Sequence, residues 1–185
     1  MNGREIFVDY VYSDGASYDT FLERKILFES VKEKNPDYVI VILASNSIAS
    51  TKSQSTIQME CKLFYERLRY YLPDTVIISA LAEMRYNNDD NSKGIEVPRD
   101  YPHRRNLMNK FLSYTIKEKD YFMMTGGNRG MVNHYREDGI HLNKKGLRLY
   151  TDFIRNILSY IHKDIQVRLD SERKYDLLMK RRKVK

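Results

Sequence analysis

The stretch Glu137-Asp138-Gly139-Ile140-His141-Leu142-Asn143 carries the residues of this chain best suited to do chemistry. A carboxylate and an imidazole stand three residues apart across a turn, where both can point into one cleft. A histidine held at one ring nitrogen by a carboxylate keeps the other nitrogen for a proton, which is what a general base requires. Asp-Gly is also an ordinary turn pair, and a histidine at a helix entrance can serve packing alone. His134, Asp138 and His141 together offer part of a metal-binding set. No further carboxylate or histidine cluster completes it, so neither a metal nor a cofactor is expected.

The surrounding elements must position this pair. Ile6 to Tyr12 alternates loosely and reads as a short strand, broken by the turn residues Ser13-Asp14-Gly15-Ala16-Ser17. A helix is predicted over residues 18–34, with Thr20 and Glu23 at capping-box spacing and Asn35-Pro36-Asp37 ending it. Tyr38-Val39-Ile40-Val41-Ile42-Leu43 is apolar throughout, the pattern of a parallel strand covered on both faces. Ala44-Ser45-Asn46-Ser47 follows at its carboxyl end, where open parallel sheets place their sites, and Ser47 to Thr56 reads as a polar loop. Ile57, Cys61, Phe64, Leu68 and Tyr71 then mark one face of a helix.

Thr75 to Leu81 is the next buried strand, ending near Glu83-Met84-Arg85, a strand-end ion pair or surface pair that could also line the cleft. Residues 86–104 have the composition of a mobile flap. A helix with Leu107, Phe111 and Tyr114 on one side, and Met108 and Leu112 beside them, leads to a short strand at Tyr121-Phe122-Met123-Met124. Asn143 can cap a last core helix reaching Ile161, and residues 164–183 read as a further, charged helix. Alternating helices and short apolar strands predict right-handed βαβ units, hence an α/β fold with a three-layer α/β/α sandwich. The expected division is a domain over 1–162 and a basic C-terminal helix or tail over 163–185.

Composition narrows the classes. The chain has 185 residues, a single cysteine and a formal charge of +7, which suits one packed domain with no internal disulfide. No apolar run has the length of a membrane span, and residues 1–12 lack a signal-peptide pattern. A soluble intracellular protein, in the cytoplasm, is the expectation. Lys180-Arg181-Arg182-Lys183-Val184-Lys185 could contact nucleic acid, although a solvated tail is the simpler reading of such a run.

Taken in order, three of these stretches resemble a family. Asp138-Gly139-Ile140-His141 before a helix is similar to the Asp-x-x-His block of the SGNH (GDSL-type) hydrolases. Pro36 to Asn46 resembles their strand leading to a Gly-x-Asn-Asp block, and Ser13 to Ser17 their segment with an isolated oxyanion glycine. The resemblance runs from about residue 4 to residue 161. It implies a flavodoxin-like parallel sheet and hydrolysis of a small acyl ester by a serine nucleophile. His141 would be the general base, Asp138 its orienting partner, and Asn46 and Gly15 oxyanion donors.

Three departures qualify the resemblance, the mildest being Ala44 where the family usually has glycine, a change that costs little sterically. The family's Gly-Asp-Ser block, which supplies the nucleophile, is not found, so the match is expected to start at the family's second strand and the chain to be incomplete or inactive. Ser47 replaces the aspartate that helps hold the Asn46 loop. On a second mapping residues 6–12 are the first strand and Ser13 or Ser17 the nucleophile, Ser17 gaining from the positive end of the helix behind it. Three classes follow: an esterase-type domain without its nucleophile segment, a non-catalytic binding protein of the same fold, and a nucleic-acid-associated protein using its basic tail.

Overall fold

Asn35, with φ 43°, carries the chain out of one helix in the left-handed conformation and delivers it to a strand. Pro36 disfavours the right-handed helical region for Asn35, and asparagine is one of the few residues that takes the left-handed one readily. This is seen in a computed structural model that describes residues 9, 15–85, 97–115, 121–123 and 132–182. The chain forms two compact units, residues 1–127 and 128–185. The strand expected over 6–12 lies outside the described residues, apart from Asp9.

In the first unit, the single helix predicted over 18–34 is two: α1 (Tyr18–Glu23) and α2 (Lys25–Lys34), separated at Arg24. Ser17, not Thr20, is the N-cap of α1, and its N–H donates to Thr20 Oγ1 at 3.4 Å. Each piece sets an aromatic ring against Phe64, Phe21 edge-on at 6.0 Å and Phe28 tilted at 5.6 Å. Phe64 belongs to α4 (Gln54–Tyr71), which Ser53 caps by accepting the Thr56 N–H. The buried face of α4 is Ile57, Cys61, Phe64 and Leu68, as the spacing predicts.

The sheet has three described strands, β1 (Tyr38–Val41), β2 (Val76–Ala80) and β3 (Tyr121–Met123), parallel and in the order β1-β2-β3. Tyr38 pairs with Val76, and Ile78 with Tyr121. The doubly covered strand is β2, whose Ile77, Ile78, Ser79 and Ala80 are buried. The expectation for β1 needs correcting: its first three residues are half-buried and Ile42 beyond it is 53% exposed. Among the described residues β1 has a sheet neighbour on one side only.

Two further expectations change. The loop expected over 47–56 is helical at both ends, overlapping the start of α4 and a short helix, α3 (Ala44–Ala49), drawn inward by Ser47 and the fully buried Ile48. The helix after residue 97, α5 (Tyr101–Thr115), starts within the stretch read as a flap, with Pro102 in its first turn where no amide proton is missed. Its inner face is Tyr101, Arg104, Met108 and Leu112, leaving Leu107 and Tyr114 exposed. Arg104 sets that phase, because its guanidinium donates to the carbonyls of Ser50 (2.7 Å) and Lys52 (2.5 Å).

The second unit contains a 3-10 turn, Val132–His134, and α6 (Lys144–Arg182). At 39 residues α6 runs unbroken past residue 163, where a separate charged helix was expected. No helix among the described residues is long and apolar enough to cross a membrane. Parallel strands, with helices in each connection, make this an α/β fold of the three-layer sandwich class.

Candidate functional site

The turn between the 3-10 segment and α6 is built by hydrogen bonds that converge on Asp138. Gly139 takes φ 65°, a left-handed conformation that glycine adopts without strain, and its N–H donates to Arg136 O at 3.0 Å. Arg136 N–H donates to His141 O at 2.7 Å, and Tyr135 and Leu142 form an antiparallel bridge that closes the loop. Asp138 Oδ1 accepts the N–H groups of Ile140 (2.8 Å) and His141 (2.9 Å), while Oδ2 lies 2.8 Å from His141 Nδ1.

Burial would raise the Asp138 carboxyl, but the hydrogen bonds from His141 and Ile140 outweigh it and hold the group at about 2. The carboxylate is therefore charged at neutral pH. Facing it, a neutral His141 ring carries its proton on Nδ1 and turns a lone pair outward on Nε2. The His141 side chain is 63% exposed, so that nitrogen is open to a reacting group.

Asn143 anchors this loop to α6. Its Nδ2 donates to Asn133 O (2.8 Å) and Tyr135 O (3.0 Å), and its Oδ1 accepts the Lys145 and Gly146 N–H groups, both at 3.0 Å. Its backbone N–H donates to His134 O at 2.8 Å. Gly146 permits this approach: a Cβ there would lie 2.3 Å from His134 O.

The residues expected to hold an oxyanion come together in the first unit. Asn46, in α3, donates from Nδ2 to Ala16 O at 2.9 Å, which ties α3 to the segment beginning at Gly15. Gly15 has φ 67°, while a Cβ on it would meet nothing within 4 Å. Its requirement for glycine is thus conformational, not one of crowding. Ser47, expected to weaken this loop, instead holds it: its buried Oγ accepts the Tyr18 N–H at 3.1 Å.

Arg85 takes the other side of Asn46, donating from Nη2 to Asn46 Oδ1, with its guanidinium 5.8 Å from the centre of the Tyr101 ring. The two contacts fix the amide, since flipping it would set NH2 against the guanidinium and oxygen against a carbonyl. One Nδ2 hydrogen remains for a ligand. The Ser17 hydroxyl donates to the Asp19 carboxylate, which Lys52 also grips, and lies 2.9 Å from Thr20 Oγ1. Ser13 lies outside the described residues. Among the described residues no three His, Cys, Asp or Glu side chains group as a metal site would need.

No family model and no curated protein matches the chain. Solved structures do. A peptidoglycan O-acetylesterase is 17% identical with a TM-score of 0.65, over 81% of this chain and 45% of its own. A carbohydrate esterase of family 3 from Talaromyces cellulolyticus is 15% identical with a TM-score of 0.59, over 80% of this chain and 70% of its own. A GDSL-like lipase from Bacteroides thetaiotaomicron is 17% identical with a TM-score of 0.56, over 81% of this chain and 73% of its own. The chain thus spans under half the length of the first of these structures and more of the other two. Their shared architecture is the SGNH (GDSL-type) hydrolase fold, and this chain has it.

Proposed function

We propose that the chain is an esterase-type domain carrying the general base and oxyanion donors of carboxylic-ester hydrolysis. The observation that carries this reading is the 2.8 Å contact of His141 Nδ1 with Asp138 Oδ2. In the reaction, Nε2 of His141 accepts a serine proton as the hydroxyl oxygen attacks the acyl carbon. The same nitrogen then returns the proton to the leaving alcohol, while Asp138 steadies the transient imidazolium. The remaining Nδ2 hydrogen of Asn46 and the Gly15 N–H serve the tetrahedral oxyanion. Short acyl esters are the proposed substrate class, supported by the O-acetylesterase among the similar structures.

The 185 residues contain no Gly-Asp-Ser, and Ser17 spends its hydroxyl proton on Asp19. We therefore propose that this chain by itself hydrolyses esters little or not at all. Two measurements test the reading. 15N NMR of the histidine rings should show His141 protonated at Nδ1 in its neutral form, a preference lost in Asp138→Ala; an Nε2-protonated ring would remove the base. Hydrolysis of p-nitrophenyl acetate should stay near the rate of His141→Ala. Rapid turnover abolished by both His141→Ala and Ser17→Ala would overturn the second proposal and make Ser17 the nucleophile.

A further inference from the structure

Arg85 is not accounted for by the chemistry above. It is half-buried just beyond the carboxyl end of β2, where open parallel sheets receive their ligands. Charged side chains removed from water are normally neutralised by a partner. Among the described residues Arg85 has no carboxylate within ion-pair distance, its contacts being the Asn46 carbonyl oxygen and the Tyr101 ring.

Arg105 adds a second positive charge and donates from Nε to Ala82 O at 2.6 Å. Tyr101 is held neutral: burial raises its hydroxyl above the ordinary value, and that hydroxyl donates to Glu83 O at 2.7 Å. Of the other two arginines of this region, Arg104 spends both terminal nitrogens on backbone carbonyls and Arg105 spends its Nε on one. A guanidinium has five N–H donors in a fixed fork, and one contact to Asn46 leaves donors for a planar anion.

We propose that Arg85 makes this site selective for esters that carry a carboxylate near the reacting carbonyl, on either the acyl or the alcohol half. The inference rests on the reading of Asn46 as the amide that faces the ester. Arg85 bridges the two recognition events: one N–H orients the Asn46 amide, and the outward N–H groups take the substrate carboxylate. Tyr101 keeps the guanidinium plane fixed from beneath. The favoured substrate class is therefore the half-ester of a dicarboxylic acid, or an acyl ester of a hydroxy acid, over a neutral ester of equal size.

The test is binding to the full chain, so it does not depend on turnover. 15N-labelled protein is titrated with monomethyl succinate and with its neutral counterpart, dimethyl succinate, while the Asn46 side-chain amide is followed by NMR. The half-ester should bind about ten-fold tighter, the gain of one charge-assisted contact. That preference should shrink on raising the salt and disappear in Arg85→Gln, with Arg85→Lys keeping part of it. Equal affinity for the two esters, a preference that survives in Arg85→Gln, or no binding of either overturns the proposal. An Arg85-dependent preference that leaves the Asn46 amide unmoved supports carboxylate recognition while counting against Asn46 as the oxyanion donor.

Discussion

Gly146→Ala opposes two effects of opposite sign, and the structure says which wins. Gly146 is the third residue of α6, and in a helix alanine is favoured over glycine by about 1 kcal/mol. Propensity alone would make the variant more stable. The added Cβ, however, would sit 2.3 Å from His134 O, 3.2 Å from His134 C and 3.1 Å from Leu142 Cδ2. Two of those atoms are backbone, so no rotamer change relieves the contact. The His134 carbonyl must retreat by roughly 1 Å to reach ordinary contact distance.

That retreat also stretches the 2.8 Å bond from Asn143 N–H, which links the turn to the helix. Overpacking of this kind costs about 1–3 kcal/mol, and a loosened hydrogen bond about 1 more. Against the gain in propensity, the net expectation is a loss of about 1–3 kcal/mol. Urea unfolding followed by circular dichroism measures it, and hydrogen exchange should show faster amides at 134–147. A variant that unfolds at a higher urea concentration than the parent would refute the close approach of Gly146 to His134.

Other outcomes follow from the same structure. The Asp138 carboxyl is depressed from 3.8 to about 2, so its stabilising contribution is complete above about pH 4 and is lost as the pH falls through 2. The stability advantage over Asp138→Asn should shrink between pH 5 and 2 in acid titrations; a constant difference contradicts the turn geometry. Ser47→Ala leaves the Tyr18 N–H buried without its partner and should lower stability by about 1–3 kcal/mol, against a change below about 0.5 kcal/mol if the contact is idle. Cys61 is fully buried and burial pushes its thiol up to about 12, so native protein at pH 8 should resist a disulfide-exchange reagent until denatured. Rapid labelling without unfolding would show that α4 is not packed as described.

The residues whose partners lie close in sequence were the most legible. Every bond that Asp138 itself makes in the turn reaches three residues or fewer, so spacing alone predicts the pairing with His141. The buried face of α4 and the stop at Asn35-Pro36 follow from periodicity and backbone sterics in the same way. Arg85 and Asn46 are 39 residues apart, and Tyr18 and Ser47 are 29 apart; no local rule links such pairs.

Hydropathy also misled where polar groups are buried. The apolar side of α5 was centred on Leu107, Phe111 and Tyr114 with Met108 and Leu112 beside them; only the last two are buried, because a hydrogen-bonded arginine, Arg104, sets its phase. α3, at six residues, is too short to show a helical period. The nucleophile expectations divide likewise: Ser17 proves to be a helix cap tied to Asp19, and Ser13 falls outside the described residues.

The saturated side chain of Asn143 has a consequence for how the protein would age. Where its amide is hydrolysed to the carboxylate, NH2 is lost as ammonia and replaced by an oxygen from water, with almost no change in size. The new aspartate would still accept the Lys145 and Gly146 N–H groups, and its charge suits the positive start of α6. It could no longer donate to Asn133 O and Tyr135 O, and would place a charged oxygen against both carbonyls. The helix would survive while the loop carrying His141 came loose, so chemical damage at this one amide would be silent to circular dichroism and visible only at the base.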